Sequence, residues 1–126
     1  MSRARIFGAF LCAVLLTSLA SGCGRNRQVE QALSSDANGY VCLKCSTKFY
    51  TDREVFAGHC PQCKAPNIEM VVGFVCETDK NVTYGARGRG ARACEKCGKV
   101  TTALSLPREN DLKAWGAAKK SNAEVN

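Results

Sequence analysis

The chain has 126 residues and a formal net charge of +7, from 18 Lys and Arg against 11 Asp and Glu, with nine cysteines and one histidine. A single histidine, placed beside a cysteine, argues against a nucleophile–His–Asp catalytic set, and no glycine loop ending in Lys-Ser/Thr is present to cradle phosphates. The positive balance does not by itself imply nucleic acid, because it counts every cysteine as neutral.

In chain order, Met1 to Arg5 carries two arginines, and Ile6 to Ala20 is an apolar run too short to span a bilayer. Small residues follow at Ser21-Gly22-Cys23, which completes a secretory signal with its cleavage region. Leu19-Ala20-Ser21-Gly22-Cys23 resembles the lipobox of bacterial lipoproteins, with the leucine one place further from the cysteine than usual. The resemblance implies a signal peptide over 1–22, cleavage before Cys23, and acylation of Cys23 as an anchor in a lipid bilayer. Each acyl chain contributes about 0.8 kcal/mol per buried CH2, so multiple acylation anchors durably. Gly24, where an aspartate would retain such a protein at the inner membrane, resembles the outer-membrane sorting pattern of Gram-negative lipoproteins. The implied location is the bacterial cell envelope, at the outer membrane. An ordinary secretory signal is the alternative.

Cleavage before Cys23 leaves 104 residues with 16 Lys and Arg and 11 Asp and Glu, formally +5. Seven thiolates and two divalent ions would reduce that to +2, so no nucleic acid partner is expected. Residues 23–38 are polar and read as a lipidated tether.

The remainder is organised by an internal repeat. Cys42, Cys45, Cys60 and Cys63 return 34 residues later as Cys76, Asp79, Cys94 and Cys97. Gly39-Tyr40-Val41-Cys42 maps onto Gly73-Phe74-Val75-Cys76, and Tyr50 onto Tyr84. A repeat of this kind defines architecture before any local reading. It predicts a small metal-stabilised β fold of two tandem β-hairpin modules, over 39–72 and 73–106, and a short C-terminal helix within 107–126. Ile68 to Val75 is the strongest strand signal and leads directly into the second ligand set, so the modules are expected to share or abut sheets. Lys48 to Tyr50 and Val82 to Tyr84 are expected as equivalent hairpin strands, and Lys99 to Leu104 as a last strand. Pro107, or Asn110-Asp111, suits the start of the helix, with Leu112 and Trp115 on one face. Gly116 weakens that helix, and the tail from Lys119 reads as polar. Trp115 reads as a hydrophobic plug, with partner docking the lesser alternative.

A C-x-x-C turn aims two sulfurs at one point, and two such turns joined by a hairpin give four ligands in tetrahedral array. The first set, C-x2-C-x14-C-x2-C, is complete. The second has a carboxylate at Asp79, and carboxylate oxygen is an accepted zinc donor at about 2.0–2.2 Å. A module of 34 residues is too small to be stable on apolar burial alone. Metal binding supplies the difference, with apparent values of about 10–16 kcal/mol in zinc-finger peptides. Disulfides are the competing reading in a secreted compartment. With Cys12 removed in the leader and Cys23 acylated, seven cysteines remain, and pairing would strand one. His59 precedes Cys60 directly and is expected to point away from the metal.

Tyr40-Val41-Cys42-Leu43-Lys44-Cys45 and Cys60-Pro61-Gln62-Cys63-Lys64-Ala65-Pro66 resemble zinc ribbons and, more narrowly, rubredoxin-like domains. The resemblance covers about 30 residues of the first module and, on its rubredoxin-like side, implies iron there. Zinc is expected at both sites from the ligand spacing, with iron an alternative at the first, because tetrahedral sulfur suits either. The glycine usual after each C-x-x-C is Ser46 and Lys64 here.

Arg87, Arg89 and Arg92 lie on the glycine-rich stretch Gly85 to Arg92. They read as a mobile cationic arm toward an envelope protein or anionic surface, or as a solvated loop. An RNA-binding loop would need more aromatic platforms than Tyr84. The expected function is non-enzymatic: a membrane-anchored binding or scaffold protein with two structural zinc modules. The alternatives are a rubredoxin-like iron electron carrier and a thiol redox or metal-relay protein.

Overall fold

The computed structural model describes residues 34–126; the expected signal peptide, Cys23 and most of the expected tether lie outside the described residues. Among the described residues no helix is long and apolar enough to cross a membrane.

The chain folds as β1 (Ala37–Cys42), β2 (Lys48–Asp52), β3 (Ile68–Val75), β4 (Val82–Ala86), a 3-10 turn (Arg87–Arg89) and β5 (Ala103–Ser105). Helix α1 (Glu109–Ala114), strand β6 (Ala118–Lys119) and helix α2 (Asn122–Val125) follow. The strands run β4-β3-β1-β2-β6 across the sheet, and β5 joins β3.

The 34-residue repeat is a repeat of hydrogen-bond register. Ala37 faces Asp52 and Gly39 faces Tyr50 between β1 and β2; Val71 faces Ala86 and Gly73 faces Tyr84 between β3 and β4. Tyr40 opposite Met70 likewise becomes Phe74 opposite Leu104. β3 therefore serves twice. Ile68 to Met70 is the third strand of the first module, and Val71 to Val75 is the first strand of the second. The expected sharing of a sheet takes the form of one continuous strand, and the boundary between 72 and 73 falls inside it. Its β-branched, apolar composition suits a strand covered on both faces.

Leu112 of α1 is fully buried with Ala37, Tyr50, Val71 and Ala117, and Trp115 packs against this group. Val125 of α2 is buried against Tyr40 and Phe49, whose rings stack at 5.2 Å. Burial of an apolar side chain of this size contributes about 1.5–3 kcal/mol. The helix starts at Glu109, between Pro107 and Asn110. The Asp111 carboxylate accepts from the Arg108 N–H at 2.9 Å, and Asp36 accepts from the Glu109 N–H at 2.8 Å. Gly116, at φ +91°, lies just past its end.

The tail is polar, as read, but it is ordered. β6 pairs in parallel with β2, placing Phe49 opposite Ala118, and the Lys120 N–H donates to the Tyr50 carbonyl at 2.8 Å. The Val125 carbonyl accepts from Gly58 and His59 at 2.9 and 3.1 Å, which braces the loop entering Cys60. The stretch expected as a strand from Lys99 is regular only over Ala103–Ser105. Residues 94–99 form a turn instead, closed from the Cys94 N–H to the Lys99 carbonyl at 2.8 Å.

Candidate metal centres

Each ligand pair occupies a tight turn, and those that open at Cys42 and Cys76 sit at the ends of β1 and β3. β1 runs into Cys42, whose N–H donates to the Thr47 carbonyl at 2.9 Å and whose own carbonyl accepts from the Ser46 N–H at 2.9 Å. Cys76, Asn81 and Lys80 repeat both bonds, at 2.9 Å each. Cys60 with Ala65 and Lys64, and Cys94 with Lys99 and Gly98, close the other two turns in the same way. All four turns place the residue after the second ligand in the left-handed region: Ser46 at φ 61°, Lys64 at 58°, Lys80 at 60° and Gly98 at 74°. The backbone demands this conformation whether or not glycine supplies it.

Cys42, Cys45, Cys60 and Cys63 place one ligand atom each within 4.8 Å of one another, and so do Cys76, Asp79, Cys94 and Cys97. All seven cysteines of the described residues are free thiols. Sγ separations are 3.6 Å for Cys42–Cys63 and 3.6 Å for Cys45–Cys60. Four sulfurs at about 2.3 Å from a zinc ion make a tetrahedron with edges of about 3.8 Å. In the second cluster Cys76 and Cys97 are 3.5 Å apart, and the Cys94 sulfur lies 3.6–3.7 Å from the Asp79 carboxylate oxygens. A mixed sulfur–oxygen edge around zinc is about 3.6 Å. Both donor sets fit a tetrahedral, thiophilic divalent ion. His59 is in neither cluster.

The surroundings favour the anionic form at Cys45 and Asp79 and oppose it at Cys63 and Cys97. The Cys45 thiol is pulled down to about 6, first by the Thr47 hydroxyl at 3.0 Å and next by the Thr47 N–H. The Asp79 carboxyl is held below its ordinary value, chiefly by the Asn81 N–H at 2.9 Å from Oδ1. At Cys63 the Ala65 N–H lowers the thiol, but burial and hydrogen bonds with the other three thiols prevail and push it up to about 11. At Cys97 the Lys99 N–H is likewise outweighed, by burial, by Cys76 and Cys94 and by the Asp79 charge, giving about 11. Four potential anions packed this closely resist ionising together; a divalent cation among them reverses that resistance.

Thr47 and Asn81 orient these ligands and escaped the reading of the sequence. The Thr47 hydroxyl touches Cys45 and lies 2.9 Å from the Gln62 side-chain oxygen. Asn81 holds Asp79 through its N–H, and its side-chain amide lies 3.9 Å from the Cys94 sulfur. The signal was the repeat itself, which sets a polar residue two places after the second ligand in both copies.

Arg87, Arg89 and Arg92 are exposed. The expected mobile arm is partly ordered. Arg87 to Arg89 is a 3-10 turn, with the Glu69 carboxylate accepting from the Gly88 N–H at 3.1 Å. The Arg92 guanidinium lies over Gly85, where a Cβ would collide with it.

No known protein family, no curated protein and no solved structure matches the chain.

Proposed function

We propose that the protein is a zinc-stabilised binding or scaffold module of two fused zinc ribbons, held at the bacterial cell envelope by an acylated Cys23. The observation that carries the metal reading is the repeated pair of four-donor clusters. Cys42, Cys45, Cys60 and Cys63 would hold one ion, and Cys76, Asp79, Cys94 and Cys97 the other. Four protein donors leave no coordination position for water or substrate, which makes the metal structural and the protein non-enzymatic. Anchoring and location rest on the likeness of residues 19–23 to a lipobox.

Metabolic labelling with a fatty acid, comparing the native chain with Cys23→Ser, tests the anchor: label and membrane association are both lost in the variant. Optical spectra test the metal. A colourless protein with two zinc ions supports the structural reading, and red ferric–thiolate absorption sinks it in favour of an electron carrier. A metal-free form that stays folded, with pairs cycling to disulfides, marks a thiol relay instead.

A further inference from the structure

The repeat carries a difference between its copies that concerns sheet edges. In the first module, the outer edge of β2 is occupied by the chain's own C-terminal strand β6. The equivalent strand of the second module, β4, ends the sheet, and no strand among the described residues pairs with its outer edge. Tyr84 holds the register position of Tyr50. The Tyr50 carbonyl is the group that accepts from Lys120, so the Tyr84 N–H and carbonyl face the corresponding outer edge. An exposed strand edge is a template for an added strand.

The charges say what kind of strand. β6 and the residue after it are basic at Lys119-Lys120, and Lys119 Nζ pairs with the Asp52 carboxylate of the receiving strand at 2.7 Å. The receiving segment Asp52-Arg53-Glu54 becomes Ala86-Arg87-Gly88 in the second copy. Both carboxylates are gone, the arginine is kept, and Arg89 and Arg92 are added close by. Among the described residues, no ion pair involves Arg87, Arg89 or Arg92. The same arginines disfavour a second copy of this chain at the edge, because like charges would be brought together.

We infer that the outer edge of β4 docks an extended acidic segment of a partner protein, which adds a strand alongside Tyr84 with its carboxylates against Arg87, Arg89 and Arg92. Main-chain hydrogen bonds give such docking its strength, and flanking charges give it selectivity. The inference rests on the binding-module reading and names the chemistry of its partner.

The test selects displayed random peptides of about ten residues against the metal-loaded protein, then follows amide exchange with the selected peptide. Metal content is counted on the same sample. The expected result is enrichment of Asp- and Glu-rich peptides that slow exchange at Tyr84 about tenfold or more, with Tyr50 unchanged. Arg87→Ala with Arg89→Ala, on exposed positions, should weaken binding about fivefold or more while both metals are kept. Several results overturn the docking edge: no enrichment, neutral or basic peptides, binding indifferent to the arginine variant, or a Tyr84 amide as slow as Tyr50 in the free monomer. Dimerisation that protects Tyr84 assigns the edge to a second copy and overturns it. So does binding to phosphatidylglycerol vesicles without protection of Tyr84. Any of these with two metals retained removes the docking edge and leaves the structural-metal reading standing. A folded sample that binds but holds no metal would remove that reading instead.

Discussion

Leu112 sits directly on Gly39: a Cβ at residue 39 would collide with the Cδ2 atom of the leucine. Helix α1 therefore reaches the first hairpin only because β1 has no side chain at that point. Gly39→Ala is expected to destabilise by about 1–3 kcal/mol through overpacking, and Leu112→Ala by about 2–5 kcal/mol through the lost contact and cavity. The double variant should cost less than the sum of the two, because the new methyl fills part of the space vacated. Thermal unfolding of the four proteins measures this.

Ser46 and Lys80 hold left-handed backbone that their Cβ atoms disfavour. That conformation costs a non-glycine residue about 1–2 kcal/mol, offset in part by the greater chain entropy glycine loses on folding. Ser46→Gly and Lys80→Gly are each expected to raise stability by up to about 1 kcal/mol. Gly98→Ala should lower it by about 1–2 kcal/mol. Denaturant midpoints of the metal-loaded proteins decide the sign.

The two modules should lose structure in order when metal is removed. The first is packed by Leu112 on one side and Val125 on the other, and β6 covers its edge. The second has no equivalent edge strand among the described residues, and Asp79 replaces one thiolate. In a chelator titration, amides of Val82 to Ala86 should lose exchange protection before those of Lys48 to Asp52. Simultaneous loss would mean the shared strand β3 couples the modules into one cooperative unit.

Much of this was legible in the cysteine spacing. The repeat located both clusters, named Asp79 as the fourth donor of the second, and placed Tyr50 and Tyr84 on equivalent strands. The doubling of β3 was half visible in the unbroken apolar run Ile68 to Val75. What stayed hidden was non-local. Val125 is one apolar residue in a polar tail, with no neighbours at helical or strand spacing to betray its burial. β6 is two residues long and takes its structure from β2.

That tail carries a pH dependence. The Glu124 carboxyl is pulled from 4.5 to about 2, first by the Ser121 N–H at 2.8 Å, then by the Lys120 ammonium at 3.0 Å and the Ser121 hydroxyl. A carboxyl depressed in the folded state stabilises fully above its unfolded value, and that contribution is lost as pH falls through the folded one. Docking of Val125 should therefore be independent of Glu124 ionisation above pH 4.5 and loosen between 4.5 and about 2. Glu124→Gln should show a looser tail already at pH 7, read from the Val125 methyl resonances and the Gly58 amide.

The most direct measurement is elemental analysis of protein isolated from its own host, with the same analysis of Asp79→Ala. The account predicts two zinc ions per native chain, no visible absorption, and one zinc ion retained in the variant. One metal in the native protein, iron–thiolate colour, or two metals retained without the Asp79 carboxylate would contradict it.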